Sequence, residues 1–130
     1  METFKNKSFC LDSFEFLSSI VSFCDSIIGE LKSLSEETYK DVFKETSESL
    51  KRTSKRIYDF IDKWESDDEQ ICRTLKSINE YYKYYCDTLE RSTPALFKID
   101  AKYITDSLNT SKLALNYRLT RIKEHITKNY

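Results

Sequence analysis

One glycine and one proline occur in 130 residues, roughly a seventh of average usage. That shortage constrains the fold more than any other feature. Strands need reversals, and reversals draw on Gly, Pro, Asn and Asp for their special backbone angles. A sandwich, a barrel and a doubly wound sheet are therefore all disfavoured. Gly29 stands alone, so no glycine-rich phosphate loop exists. A chain of this length buries roughly two thirds of its unfolded surface. With 39% hydrophobic and 33% charged residues, it is expected to be a single folded helical domain and not a disordered one.

The apolar residues recur at helical spacing in four segments. In the first, Cys10, Phe14, Leu17, Val21, Cys24, Ile28 and Leu31 alternate steps of four and three. A second stripe, Phe9, Phe16, Ile20, Phe23, Ile27 and Leu34, runs beside it. Together they span about 160° of the helix, with serines and Gly29 on the rest. This helix is expected to be the most buried. The second segment reads Tyr39, Phe43, Thr46, Leu50, Thr53, Ile57, Phe60 and Trp64, after Ser35 as an N-cap and Glu36 and Glu37 in the first turn. The third follows a capping box, Ser66 to Glu69, and runs through Ile71, Leu75, Ile78, Tyr82, Tyr85 and Leu89. The fourth opens on Thr93-Pro94, with proline where its missing N–H costs nothing, and runs through Phe97, Ala101, Ile104, Leu108, Leu115, Leu119, Ile122 and Ile126.

Helices are expected over about 10–33, 36–65, 67–91 and 94–127. A bend at Asn109-Thr110-Ser111, or continuous helix through Ser35, is the competing reading at those two places. Connections this short force neighbours to be antiparallel. The expected architecture is an all-α, up-down-up-down four-helix bundle; a three-helix bundle with a protruding C-terminal helix is the alternative.

The chemistry-bearing residues are few. His125 is the one histidine, so Glu-x-x-His metal pairs are excluded, and any catalytic triad would have to use it. Asp67 and Asp68 sit at a helix start, where capping accounts for them. No catalytic residue, metal site or cofactor is expected. Cys10 and Cys24 are fourteen apart, as are Cys72 and Cys86, about 21 Å along a helix. Neither same-helix pair can bridge. Buried thiols are the simpler reading. Two rungs between the first and third helices, Cys10 to Cys72 and Cys24 to Cys86, are the alternative.

Tyr81, Tyr82, Tyr84 and Tyr85 crowd two turns. Tyr82 and Tyr85 continue the core seam, and Tyr81 and Tyr84 do not. A tyrosine has a large apolar body and a polar tip, which suits interfaces. Phe16, Ile20, Phe23, Ile27, Tyr81 and Tyr84 are accordingly the candidate interface. The formal charge is −1, too little basic character for nucleic acid to be expected. The last segment, Ser92 to Tyr130, holds seven basic and three acidic residues. Its Lys112, Arg118, Arg121, Lys123 and Lys128 are candidate contacts to an anionic partner or membrane surface.

These features point to a non-catalytic interaction or scaffold module, acting as a homo-oligomer or as a helical subunit of a larger complex. Its partners would be other protein helices. A membrane-surface protein and a secreted, disulfide-bridged effector are the alternatives. A cytoplasmic location is expected, since no basic stretch followed by an apolar run opens the sequence; secretion is the alternative.

Overall fold

A computed structural model describes residues 7–65 and 69–130, the side chain of Glu69 excepted. It holds four helices: α1 (Lys7–Glu30), α2 (Tyr39–Trp64), α3 (Glu69–Arg91) and α4 (Phe97–Asn129). No strand occurs among the described residues. The expected cap at Ser66, Asp67 and Asp68, and the residues before Lys7, lie outside the described residues.

Two of the turns explain where helices start. The carbonyl of Ser35 accepts from the backbone N–H of Thr38 and of Tyr39, 3.1 and 3.0 Å away. The Ser35 N–H in turn donates to the Thr38 hydroxyl at 3.1 Å. Thr38 thus takes the part that glutamate plays in a capping box. The chain breaks between α1 and α2, and continuous helix is excluded. Likewise the Thr93 carbonyl accepts from Leu96 and Phe97, both at 3.0 Å, with Pro94 in the opening turn. The suspected bend at Asn109-Thr110-Ser111 does not occur; α4 runs unbroken, and the Thr110 hydroxyl donates to the Asp106 carbonyl one turn back.

Side-chain contacts fix the directions. Asp12 meets Lys63 at 3.2 Å and Glu30 accepts from Thr46 at 3.5 Å, so α1 and α2 are antiparallel. Glu90 meets Lys51 at 2.7 Å and Asn79 donates to the Ser54 carbonyl at 3.3 Å, so α2 and α3 are too. Gln70 accepts from Arg118 and Tyr85 bonds Ser107, reversing α4 against α3. Lys112 pairs with Asp25, and the Lys7 ammonium lies 5.7 Å from the Tyr130 ring centre, so α4 closes the ring against α1. The fold is an antiparallel four-helix bundle. Since α4 is buried on one face from Phe97 to Ile122, it does not protrude.

The four sides are unequal. α2 lies closest to α3, and α1 to α4; the other two sides are looser. Between α2 and α3, side chains of one helix reach backbone of the other: the Cys86 thiol donates to the Ser47 carbonyl at 3.6 Å, and Asn79 to that of Ser54. Small residues at such contacts let the backbones approach. The looser sides carry aromatic wedges. Phe16 stacks on Phe60 and Phe9 meets Trp64 edge-on between α1 and α2. Tyr84 and Tyr85 both meet Tyr103 between α3 and α4.

The α1 seam differs from either expected stripe. Cys10, Ser13, Leu17, Ile20, Cys24, Ile27 and Leu31 are all buried, while Phe14 is exposed. This seam bisects the two stripes. A helix flanked by two neighbours turns the middle of its apolar arc to the core and gives one margin to each side. Ser13 then falls in the core, where its hydroxyl has no partner.

Candidate functional site

α4 carries apolar residues on two opposite faces. One is the core seam. The other runs from the N-cap Leu96 through Ile99, Tyr103, Leu113 and Tyr117, all exposed; Ile99 and Leu113 keep 66% and 72% of their surface open to solvent. The spacing from Leu96 through Ile99, Tyr103, Asp106, Thr110, Leu113 and Tyr117 alternates three and four without a break. That is a second heptad seam, set about half a turn from the first. Asp106 and Thr110 are its polar members. Asp106 accepts from Lys102, one turn earlier, at 2.7 Å.

α3 widens this face. The seam at Tyr82 and Tyr85 faces inward, which leaves Tyr81 and Tyr84 outward at 48% and 59% exposure. The Tyr84 ring meets that of Tyr103 at 6.2 Å between centres and 63° between planes, an edge-on contact. Tyr81 lies 6.3 Å from Tyr85 with planes 25° apart. Tyr85 anchors the cluster, since its hydroxyl bonds Ser107 and burial pushes its phenol above the usual range. A groove of about 460 Å³ opens beside Tyr81, between Arg73 and Ser77 of α3 and Ser107 and Thr110 of α4. The outer surface of α3 and α4 is thus a band of tyrosine and aliphatic groups, held from beneath by buried tyrosine.

The other interface candidates lie elsewhere. Ile20 and Ile27 are 0% and 1% exposed. They belong to the core, which corrects their place among interface residues: the bisecting seam of α1 takes them inward. Phe16 is half-buried, stacked on Phe60 at 4.6 Å with planes 6° apart, and the Arg56 guanidinium covers it at 5.6 Å. Phe23 is half-buried with its ring 6.0 Å from that of Tyr82. Both are engaged within the bundle.

The basic residues of α4 are not gathered on one surface. Lys112 is paired with Asp25 of α1. Arg118 donates to Gln70 of α3 at 3.3 Å and lies over the Tyr117 ring at 5.6 Å. Burial, and then the neighbouring Arg121, lowers its pKa. Arg121 is half-buried, and Lys123 and Lys128 are exposed.

The four cysteines are buried thiols, and no disulfide joins them. The proposed rungs do not form. Cys24 sits level with Tyr82, its sulfur 3.7 Å from the phenol oxygen, and Cys86 turns to α2. Burial raises the pKa of both Cys24 and Cys86, which makes them poor nucleophiles. Among the described residues no cluster of three or more His, Cys, Asp or Glu stands ready for a metal. Nor is any helix there long and apolar enough to cross a membrane.

No protein-family model, curated protein or solved structure matches the chain. The residues that sequence reasoning passed over are Leu96, Ile99, Tyr103, Leu113 and Tyr117. Their signal was present in the three-four spacing, but it ran beside a stronger seam on the same helix.

Proposed function

We propose that this chain is a protein–protein interaction module, a non-catalytic helical subunit that docks partner helices on the outer face of α3 and α4. One observation carries the reading. A three-four seam on the outer face of α4, apolar and exposed at Leu96, Ile99, Tyr103, Leu113 and Tyr117 and polar at Asp106 and Thr110, meets the exposed tyrosines of α3 through the Tyr84–Tyr103 contact. Scattered exposed apolar residues are ordinary, whereas a contiguous band marks an interaction site. Tyrosine is enriched at such sites. Heptad spacing favours another helix as the occupant. The buried thiols suit a reducing, cytoplasmic compartment.

The test is hydroxyl-radical footprinting of the tyrosines, comparing dilute purified protein with the protein in extracts of the cells that make it. Tyr84, Tyr103 and Tyr117 should lose reactivity in the native assembly, while Tyr58, exposed on α2, keeps its own. Equal reactivity of all four in both states would sink the reading.

A further inference from the structure

The outer seam of α4 has an internal symmetry that names its partner. From Ile99 to Tyr117 the order is apolar, apolar, polar, polar, apolar, apolar: Ile99, Tyr103, Asp106, Thr110, Leu113, Tyr117. A two-fold interface pairs residue i with j and j with i. Laid antiparallel on a second copy about an axis level with residue 108, Ile99 faces Tyr117, Tyr103 faces Leu113, and Asp106 faces Thr110. From Ile99 to Tyr117 every apolar side chain meets an apolar one, and beyond them Leu96 falls opposite Thr120. The two polar layers fall together at the centre. There the Thr110 hydroxyl, on turning away from the Asp106 carbonyl of its own helix, can donate to the Asp106 carboxylate of the other copy, whose charge is already countered by Lys102.

Other registers lack this match. Sliding the partner by one heptad sets Asp106 against Tyr117 in one direction and against Tyr103 in the other, burying a carboxylate on an aromatic ring. A polar layer that fits in one register only is a known means of fixing alignment in paired helices. The seam is also long enough. Leu96 to Thr120 spans about 36 Å of helix. The five exposed apolar residues offer on the order of 500 Å² per copy, given 150–250 Å² for a fully buried aromatic. Two copies then approach the roughly 1,000 Å² that a specific interface needs, with Tyr84 adding to it beside Tyr103.

We infer that the partner is a second copy of this chain, joined through α4 in an antiparallel, two-fold pair centred near residue 108. This rests on the reading of the α3–α4 face as an interaction surface. The first measurement is light scattering of the purified protein at about 100 µM, with reductant. A mass near twice 15.5 kDa is expected, falling to that of one chain in Leu113→Glu, which is exposed and should leave the helical circular dichroism unchanged. Tyr58→Glu on α2 should keep the doubled mass.

Direction is tested by thiol crosslinking. Ile99→Cys and Tyr117→Cys chains, mixed and mildly oxidised, should link to each other and not to themselves; the native thiols are buried and stay out of the reaction. Self-linking of either chain would overturn the antiparallel pairing. A single-chain mass at 100 µM would overturn the pair itself. If Tyr117 were nonetheless protected in native extracts, the interaction reading would stand with a different partner. If it were not, both would fall.

Discussion

The sulfur of Cys24 lies 3.7 Å from the phenol oxygen of Tyr82, a contact between α1 and α3 across the diagonal of the bundle. Both residues are almost wholly enclosed. The two do not contribute alike. Cys24→Ala removes a buried sulfur, leaves a cavity and strands the phenol; it should cost about 2 kcal/mol. Tyr82→Phe removes only a hydroxyl whose partner is a weak hydrogen-bonding group, and should cost under about 1 kcal/mol. Urea denaturation of the two variants gives the comparison. A Tyr82→Phe penalty above that of Cys24→Ala would show that the phenol, not the sulfur, organises this layer.

Stability should fall on the alkaline side. Burial raises the pKa of Cys24, Cys86, Tyr82 and Tyr85 in the folded state. Unfolded thiols ionise near 8.5 and phenols near 10. A group with a raised folded pKa favours the folded state fully below its unfolded pKa, and that advantage is lost as pH climbs through the interval. The urea midpoint should therefore hold steady from neutral pH to about 8.5, then drop, with a steeper drop near pH 10. Tyr85→Phe should soften the second drop. A midpoint unchanged to pH 11 would contradict the burial of these groups.

Gly29 is not required by the turn it precedes. It lies within α1, no residue of the described chain has a positive φ, and a Cβ added there meets nothing within 4 Å. Gly29→Ala should stabilise the protein by about 0.5–1 kcal/mol, through the entropy of the unfolded chain and the helix preference of alanine. Thermal unfolding should move up by roughly 3 °C. A lower melting temperature would mean that the end of α1 needs a freedom only glycine has.

Much of this fold was legible before any coordinates. The α2 seam from Tyr39 to Trp64 packs as its spacing says, with Trp64 half-buried at its end. Ser35 and Thr93-Pro94 open helices because their local hydrogen bonding is a property of the nearest few residues. What could not be read was orientation about a helix axis. The wide apolar arc of α1 leaves its rotation to the neighbours, and so Ile20 and Ile27 went inward and Phe14 outward. On α4 the three-four spacing carries two seams, the outer one broken by Asp106 and Thr110, and which of them faces the core depends on α1 and α3. Leu115 is fully buried and Leu113 is not, though they are two residues apart. Local signals set the elements; only packing chooses the surface.

The close pairing of α1 with α4 has a consequence for how the chain is made. α1 leaves the ribosome with its wide apolar arc uncovered, and its tightest neighbour is the last of the four helices to be synthesised. About a hundred residues separate the end of α1 from the end of α4, which is roughly 5–20 s of translation at ordinary rates. Meanwhile α2 and α3 can fold on each other as a hairpin, as their tight contact allows. The nascent chain therefore waits with α1 exposed, and its serine-rich outer side, low in charge, gives little protection. Chaperone engagement during synthesis is expected to centre on Phe9 to Leu31 and to end when α4 arrives.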